Sequence, residues 1–257
     1  MRIARYIVDD DPVYGLVEGE DGEEEVQQIQ GDPFFMGVKP VGIKHKLDDV
    51  RLLAPVIPRS KVVGVGRNYA DHAKELGNDV PVSPLIFLKP NTSVIGPGDP
   101  VILPSFSDEV SYEAELAVVI GRICKDVPQE RVNEVIFGYT CANDFTARDV
   151  QKTDSQWARA KGFDGSCPIG PWIETELDPS DLSIKGWLDG ELKQDGNTRD
   201  MIFSVEFLVS YISQAFTLLP GDIILTGTPA GVGLISAGEE YEIEIEGIGA
   251  LANTARR

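Results

Sequence analysis

One apolar segment, Tyr112–Ile120, constrains the fold of this chain more than any other part of its sequence. Its side chains alternate as in a β-strand, and one face would carry Tyr112, Ala114, Leu116, Val118 and Ile120. The same alternation places Glu113 and Glu115 together on the opposite face. Neighbouring carboxylates resist burial unless something positive lies between them. The segment therefore indicates either a solvated outer face or a site for a divalent cation.

Short apolar runs separated by turn residues dominate the rest of the chain, which has 26 glycines and 17 prolines. Period-2 patterns and turn chemistry predict strands at Ile3–Val8, Tyr14–Val17, Lys61–Val65, Leu85–Leu88, Val101–Leu103, Ile136–Ala142, Ile223–Thr226 and Tyr241–Ile245. A hairpin is predicted over Ile184–Leu192, with its turn at Asp189–Gly190. This many strands with only two or three helices predict a β-dominated α+β fold.

The predicted helices are few and short. Ser204–Phe216 has the clearest helical periodicity, with a stripe that runs to Ala215 and Phe216. Asn68–Leu76 is polar and compatible with a helix. Pro128–Ile136 is predicted as a short helix with Asp126 as its cap.

The chain is long enough, at 257 residues, to bury one large core. Prolines at positions 55 and 58 indicate a boundary. They predict a small N-terminal β-rich domain over residues 1–56 and a larger catalytic domain over residues 57–257.

Composition excludes several classes of protein. A net charge of −19 makes nucleic acid an improbable partner, because phosphate binding requires a basic surface. No apolar run approaches the roughly 20 residues that span a bilayer, and Met1–Asp11 does not resemble a signal peptide, so we expect a cytoplasmic protein without membrane contact. The three scattered cysteines, Cys124, Cys141 and Cys167, predict buried thiols rather than disulfides.

A third acidic residue strengthens the metal hypothesis. Asp144 follows the predicted strand Ile136–Ala142, at a point where site residues often lie. Three carboxylates with no nearby histidine or cysteine suit Mg²⁺, Mn²⁺ or Ca²⁺ better than Zn²⁺. The alternative is that Asp144 caps a helix or an Asx turn.

His72 and Glu75 are candidates for a general base. They are three residues apart, so on a helix the carboxylate can orient the imidazole. The alternative is a surface ion pair. The other histidine, His45, is interpreted as a linker residue. The polar segment Tyr69–Pro81 that carries the dyad is predicted to act as a lid.

Two further segments are compatible with such a site. Lys161 precedes a glycine-rich turn and could neutralise an oxyanion. The predicted strand that ends at Thr226 runs into a glycine-rich loop, where Thr228 and backbone N–H groups could hold a carboxylate. The alternative for the loop is a plain tight turn.

Six short motifs, read in order, resemble the fumarylacetoacetate hydrolase family. They span about residues 60 to 257, most of the chain, and are specific only as a series. The motifs are Gly66-Arg67-Asn68-Tyr69-x-x-His72-x-x-Glu75, Phe87-x-Lys89-Pro90, Tyr112-Glu113-x-Glu115-Leu116, Asn143-Asp144-x-x-x-Arg148-Asp149, Lys161-Gly162-Phe163-Asp164 and Thr226-Gly227-Thr228-Pro229-x-Gly231-Val232-Gly233.

The resemblance implies a mixed β-sandwich roll, a homodimer and a Mg²⁺ or Mn²⁺ cofactor. It implies metal ligands at Glu113, Glu115 and Asp144. It also implies catalytic residues at His72, Glu75 and Lys161. The substrate-binding positions that it suggests are Arg67, Gln151, Gly227 and Thr228.

The reaction that these residues predict is C–C bond cleavage of a small 2-oxo acid, through a pyruvate enolate stabilised by the metal and Lys161. Hydrolysis of acylpyruvates or fumarylpyruvate and decarboxylation of oxaloacetate both fit. Isomerisation of 2-hydroxyhepta-2,4-diene-1,7-dioate is the alternative reaction. A ligand-binding member of the same fold without activity is the alternative class.

Overall fold

The structure is a computed structural model that describes residues 1–8, 10–20, 22–75, 77 and 79–257. Strands account for 43% of it and helices for 18%, which confirms a β-dominated α+β fold. The strands are β1 (Arg2–Val8), β2 (Asp11–Glu18), β3 (Glu25–Ile29), β4 (Pro40–Lys46), β5 (Arg51–Leu53), β6 (Val62–Gly66), β7 (Leu85–Lys89), β8 (Val94–Ile95), β9 (Val101–Ile102), β10 (Val110–Tyr112), β11 (Ala114–Ile120), β12 (Ile136–Asn143), β13 (Thr146–Ala147), β14 (Cys167–Glu174), β15 (Ser183–Leu188), β16 (Glu191–Asn197), β17 (Ile223–Leu225), β18 (Gly233–Leu234), β19 (Glu240–Ile245) and β20 (Gly249–Arg256).

Helices connect these strands at only a few places. The α-helices are α1 (Pro33–Met36), α2 (Ala70–Glu75), α3 (Arg148–Thr153), α4 (Ala158–Lys161) and α5 (Val205–Ala215). Short 3₁₀ segments lie at Leu47–Asp49, Asn91–Ser93, Gln129–Glu134 and Thr198–Asp200.

A large mixed sheet runs through the molecule in the order β4-β3-β2-β1-β14-β12-β11-β17-β6-β7, with β5 beside β1 and β8 beside β14. The N-terminal strands are therefore continuous with the rest of the sheet, through the pairing of β1 with β14. The division at residue 56 stays a prediction. Smaller sheets have the orders β13-β10-β18 and β16-β15-β19-β20-β9. The architecture agrees with the predicted mixed roll.

Strand β11 lies inside the large sheet and is buried on both faces. Leu116 and Val118 belong to one apolar cluster, whereas Ala117 and Val119 belong to a second. The alternation predicted for this segment is confirmed, but the single strand Tyr112–Ile120 is not. β10 ends at Tyr112 and β11 begins at Ala114, so the strand is interrupted at Glu113.

Local predictions elsewhere were corrected by tertiary context. Asp126 adopts a left-handed conformation (φ 52°) and does not cap the following segment, which is a 3₁₀ turn that begins after Pro128. His45 lies in β4, paired with Val26 of β3, and not in a linker. Ala215 is exposed, because α5 turns Val205, Leu208, Val209 and Ile212 towards the core. All three cysteines are buried and free, as predicted.

The longest helix, α5, has a side-chain cap that can be tested. The hydroxyl of Ser204 accepts a hydrogen bond from the Phe207 N–H at 3.3 Å. Replacing such a cap by alanine typically costs about 1 kcal/mol. We expect Ser204→Ala to lower the free energy of unfolding by about that amount. Ser204→Asp should retain most of the stabilisation that the cap provides. Urea unfolding of both variants measures this, and equal midpoints for wild type and Ser204→Ala would contradict it.

Candidate active site

The sheet order brings distant segments together at one edge. β6 and β17 run parallel, with Leu225 opposite Gly64, so both strands end at this edge. β11 is antiparallel to β17 and to β12, so β11 begins and β12 ends there. This arrangement places Glu113 beside Asp144, whose N–H donates to the Glu113 carbonyl at 3.0 Å.

The three predicted acidic residues converge at this edge. Ligand oxygens of Glu113, Glu115 and Asp144 all lie within 4.8 Å of one another. The residues are 3%, 2% and 1% exposed, so the solvated outer face considered for the glutamates is wrong. Asp144 does not cap a helix with its side chain: the carboxylate accepts hydrogen bonds from Lys89 and Lys161. The oxygens form the hard donor set that Mg²⁺ and Mn²⁺ prefer.

Three cationic side chains surround these carboxylates. The ammonium of Lys161 donates to Glu113 Oε2 at 2.7 Å and to Asp144 Oδ2 at 2.6 Å. Lys89 donates to Asp144 Oδ1, and Arg148 donates to Glu113 Oε1. Three formal positive charges thus match three formal negative charges. A bound divalent cation would add two positive charges, which an anionic substrate would balance.

The environment shifts the pKa values of these groups in different directions. Burial, followed by the charges of Asp144 and Glu113, raises the pKa of Glu115 well above its usual value. Burial alone would also raise the pKa of Glu113, but Lys161 and Arg148 outweigh it and lower this pKa. A cation held between the three carboxylates would favour the ionised form of Glu115.

His72 lies at the same site, on α2. Its Nδ1 is 3.5 Å from Glu75 Oε2, and the side chain is buried, whereas that of Glu75 is 36% exposed. The Glu75 carboxylate also accepts from the Gly231 N–H at 3.1 Å, which ties α2 to the glycine-rich loop. Burial lowers the pKa of His72, with Arg148 and Lys161 acting in the same direction. A neutral imidazole in this position can accept a proton.

A cavity of about 340 Å³ opens onto this cluster. Seven of the ten residues predicted for the site line it: Arg67, His72, Glu113, Glu115, Gln151, Lys161 and Thr228. The other three do not line the cavity but contact residues that do: Glu75 contacts His72, Asp144 contacts Lys161, and Gly227 contacts Glu115. The Gly227 N–H donates to Glu115 Oε2 at 2.7 Å, so this glycine holds a carboxylate of the protein itself.

The predicted substrate-binding residues differ in what they offer to the cavity. Arg67 adopts a left-handed conformation (φ 61°) and has no carboxylate within 4.0 Å among the residues that the structure describes. Gln151 accepts from Arg148 at 3.0 Å. The Thr228 hydroxyl donates to the Ala114 carbonyl at 2.8 Å and accepts from Gln194 at 2.8 Å. The hydroxyl hydrogen of Thr228 is therefore used in a hydrogen bond that fixes the loop, and it is not donated to a ligand.

Sequence reasoning gave no role to several residues of this site. Lys89 and Arg148 are part of the family motifs, but no role was predicted for them. Lys89 could have been recognised as a site residue, because it is a charged residue at the end of an apolar strand. Trp157 lines the cavity, and nothing local in the sequence indicated this. The predicted lid is described only in part: α2 is present, but Leu76 and Asn78 lie outside the described residues. Its movement stays a prediction.

Comparison with known proteins agrees with this geometry. Residues 61–256 match the family described as fumarylacetoacetate (FAA) hydrolase C-terminal, and residues 1–55 match Rv2993c-like, N-terminal. This chain belongs to the fumarylacetoacetate hydrolase family. The predicted family is confirmed, and its members with named activities are enzymes.

Relatives in this family have different named activities. A 5-carboxymethyl-2-hydroxymuconate delta-isomerase from Mycobacterium smegmatis is 46% identical, with a TM-score of 0.93 and 100% of both chains covered. Oxaloacetate tautomerase Fahd2a, mitochondrial, from Rattus norvegicus is 44% identical over 79% of this chain and 69% of its own. A maleylpyruvate hydrolase from Sphingobium sp. SYK-6, solved with manganese(II) and pyruvate, is 32% identical, with a TM-score of 0.81 and coverage of 100% and 99%.

The sequence also predicted a protein without membrane contact, and it predicted the protein's partners. Within the described residues, the helices are all too short or too polar to cross a bilayer. The cytoplasmic location, the homodimer and the lack of a nucleic-acid partner stay predictions.

Proposed function

We propose that this protein is a divalent-metal-dependent enzyme that converts a small 2-oxo acid through its enolate. The observation that carries this proposal is the group of three buried carboxylates at the base of a cavity that also contains His72 and Lys161. The family relative solved with manganese(II) and pyruvate supports the same combination of a divalent metal and a 2-oxo acid. Glu113, Glu115 and Asp144 would hold Mg²⁺ or Mn²⁺.

When bound, such a metal supplies Lewis acidity towards the substrate oxygens. The side chains supply the remaining chemistry. Lys161 places a buried ammonium beside the carboxylates, where it can stabilise a negative oxygen that develops on the substrate. His72 can remove or return a proton, and the Glu75 carboxylate, 3.5 Å from its Nδ1, favours the protonated ring through its charge. The glycine-rich loop keeps Glu115 in place through the Gly227 N–H.

The reaction that we favour is proton transfer between the enol and keto forms of a 2-oxo dicarboxylate such as oxaloacetate. The enol loses its hydroxyl proton and C3 gains one, so the conversion requires no water. The isomerase and tautomerase relatives, at 46% and 44% identity, support this reaction more than the hydrolase at 32% does.

C–C bond cleavage is the second candidate. The buried imidazole of His72 beside Glu75 favours it, since this pair could activate water for the hydrolysis of an acylpyruvate. Purified protein loaded with Mn²⁺ should be assayed on the enol of oxaloacetate, acetylpyruvate, fumarylpyruvate and 2-hydroxyhepta-2,4-diene-1,7-dioate. Faster conversion of oxaloacetate enol than of the acylpyruvates supports proton transfer. The reverse order makes cleavage the principal reaction, and turnover of none of them contradicts the proposal.

Arg67 is our candidate for the residue that binds the second carboxylate of such a substrate. It lines the cavity, and its loop is fixed by the buried amide of Asn68, which donates to the Thr226 carbonyl at 2.7 Å and to the Phe203 carbonyl at 3.0 Å. Arg148 and Lys161, in contrast, already pair with Glu113. The guanidinium of Arg67 is therefore available to an anionic ligand.

We expect Arg67→Met to raise the KM for oxaloacetate by about 10- to 100-fold, because a hydrogen bond to a charged group is worth about 1.5–3 kcal/mol. The KM for acetylpyruvate, which has no second carboxylate, should change little. Lys152→Met is the matched control, since Lys152 also lines the cavity but pairs with Glu109 at 2.9 Å. Steady-state kinetics decide the matter: an equal rise in KM for both substrates would refute this role.

A further inference from the structure

Gln194, in β16, is completely buried and uses all four of its hydrogen-bonding positions. Its Oε1 accepts from the Ala114 N–H at 2.9 Å and from the Tyr241 hydroxyl at 2.7 Å. Its Nε2 donates to Thr228 Oγ1 and to the Pro229 carbonyl, both at 2.8 Å. One amide thus connects the β15–β16 hairpin, the glycine-rich loop and the strand that carries the acidic residues.

The hydrogen bond at Ala114 affects both glutamates of the acidic group, because Ala114 lies between Glu113 and Glu115 in the chain. Its N–H donates to Gln194, and its carbonyl accepts from Thr228, which is itself held by Gln194. The neighbouring strand β17 pairs only with residues 117–119 of β11 and does not reach this position. The side chains of Gln194 and Thr228 therefore replace a neighbouring strand where β11 begins.

Glycines permit this close packing at two places. A Cβ on Gly231 would lie 2.1 Å from the Lys193 carbonyl oxygen, so only glycine lets the loop approach β16. A Cβ on Gly186 would lie 1.8 Å from the Tyr241 hydroxyl oxygen, which bonds to Gln194. The two glycines therefore let the β15–β16 hairpin pack closely against Tyr241 and against the loop that carries Thr228.

We infer that Gln194 is a positioning residue: it fixes the backbone at Ala114 and so holds Glu113 and Glu115 in the relative placement that metal binding requires. The inference rests on the metal site of the proposed function. Gln194 lies outside the cavity lining and acts only through Ala114 and Thr228. Partners behind metal ligands typically contribute about 10- to 100-fold to metal affinity.

The test is the affinity for Mn²⁺, measured from the electron paramagnetic resonance signal of the free ion. We expect Gln194→Leu to weaken binding by about 10- to 100-fold. Gln194→Glu keeps an acceptor for the Ala114 N–H but loses the N–H donors to Thr228 and Pro229. Its Mn²⁺ affinity should therefore lie between those of wild type and the leucine variant. Asn253→Leu is the matched control: Asn253 is an equally buried amide that donates to the Gly96 and Asp99 carbonyls at 2.9 Å. It should lower Tm and leave the Mn²⁺ affinity unchanged.

The outcomes separate this inference from the proposed function. If wild type does not bind Mn²⁺, the proposed function fails and the inference fails with it. If wild type binds and Gln194→Leu binds equally well, or if Asn253→Leu weakens binding as much, only the inference is overturned. If Gln194→Leu does not fold, Tyr241→Phe decides, because it removes one donor to Gln194. Binding that is roughly two- to tenfold weaker supports the inference, and unchanged binding overturns it.

Discussion

His72→Ala should lower the hydrolysis of acylpyruvates, and the enol–keto conversion of oxaloacetate, by about 10²–10⁴-fold, the usual contribution of a general base. The physical reason is that His72 is a buried imidazole in the cavity with a lowered pKa, so it can take a proton from water or substrate. Decarboxylation of oxaloacetate needs no deprotonated water and should fall less. The measurement is kcat/KM for each substrate.

His45→Ala is the matched control, because the second histidine of the chain lies in the edge strand β4. It should leave every rate unchanged. If His72→Ala retains both acylpyruvate hydrolysis and oxaloacetate conversion, His72 is not the general base, even if the metal site is correct.

Glu115→Gln should reduce metal affinity and all activities by more than about 10²-fold, since even groups behind metal ligands contribute up to that amount. The amide keeps an oxygen that can accept from the Gly227 N–H. Because burial and the neighbouring carboxylates raise the pKa of Glu115, the metal-free variant should be at least as stable as wild type. Calorimetric titration with Mn²⁺ and the Tm of the metal-free proteins measure both effects.

Glu109→Gln is the control for this variant, because Glu109 is a half-buried carboxylate that pairs with Lys152 outside the acidic group. It should bind Mn²⁺ as wild type does. If Glu115→Gln also binds Mn²⁺ as tightly as wild type, the assignment of Glu115 as a metal ligand is wrong.

The site's acidic residues were predictable because their signals are local. Alternation along one segment put Glu113 and Glu115 together, and the end of an apolar strand marked Asp144. The helical spacing of His72 and Glu75 was also sufficient to predict their contact. In each case the residues are close together in the chain: Glu113 directly precedes β11, which carries Glu115, His72 and Glu75 share α2, and Asp144 directly follows β12.

The remainder of the site depends on contacts between distant parts of the chain. Gln194 bonds to Ala114 across 80 positions, and no local pattern indicates that pairing. The interruption at Glu113 was missed because the apolar alternation continues through it, although the strand changes sheets there. Asp126 was predicted as a helix cap from its residue type alone, but its backbone is left-handed, whereas a capping residue typically has an extended backbone.

We expect the three carboxylates to bind a divalent metal, and we expect the conversion of a 2-oxo acid to depend on that metal. The most direct measurement follows the ultraviolet absorbance of oxaloacetate enol with chelator-treated wild type, before and after Mn²⁺ is added, and with Glu115→Gln. The expected result is conversion near the uncatalysed rate for chelated protein and for the variant, with wild-type activity restored by Mn²⁺. Equal catalysis by chelated and Mn²⁺-loaded protein would contradict it.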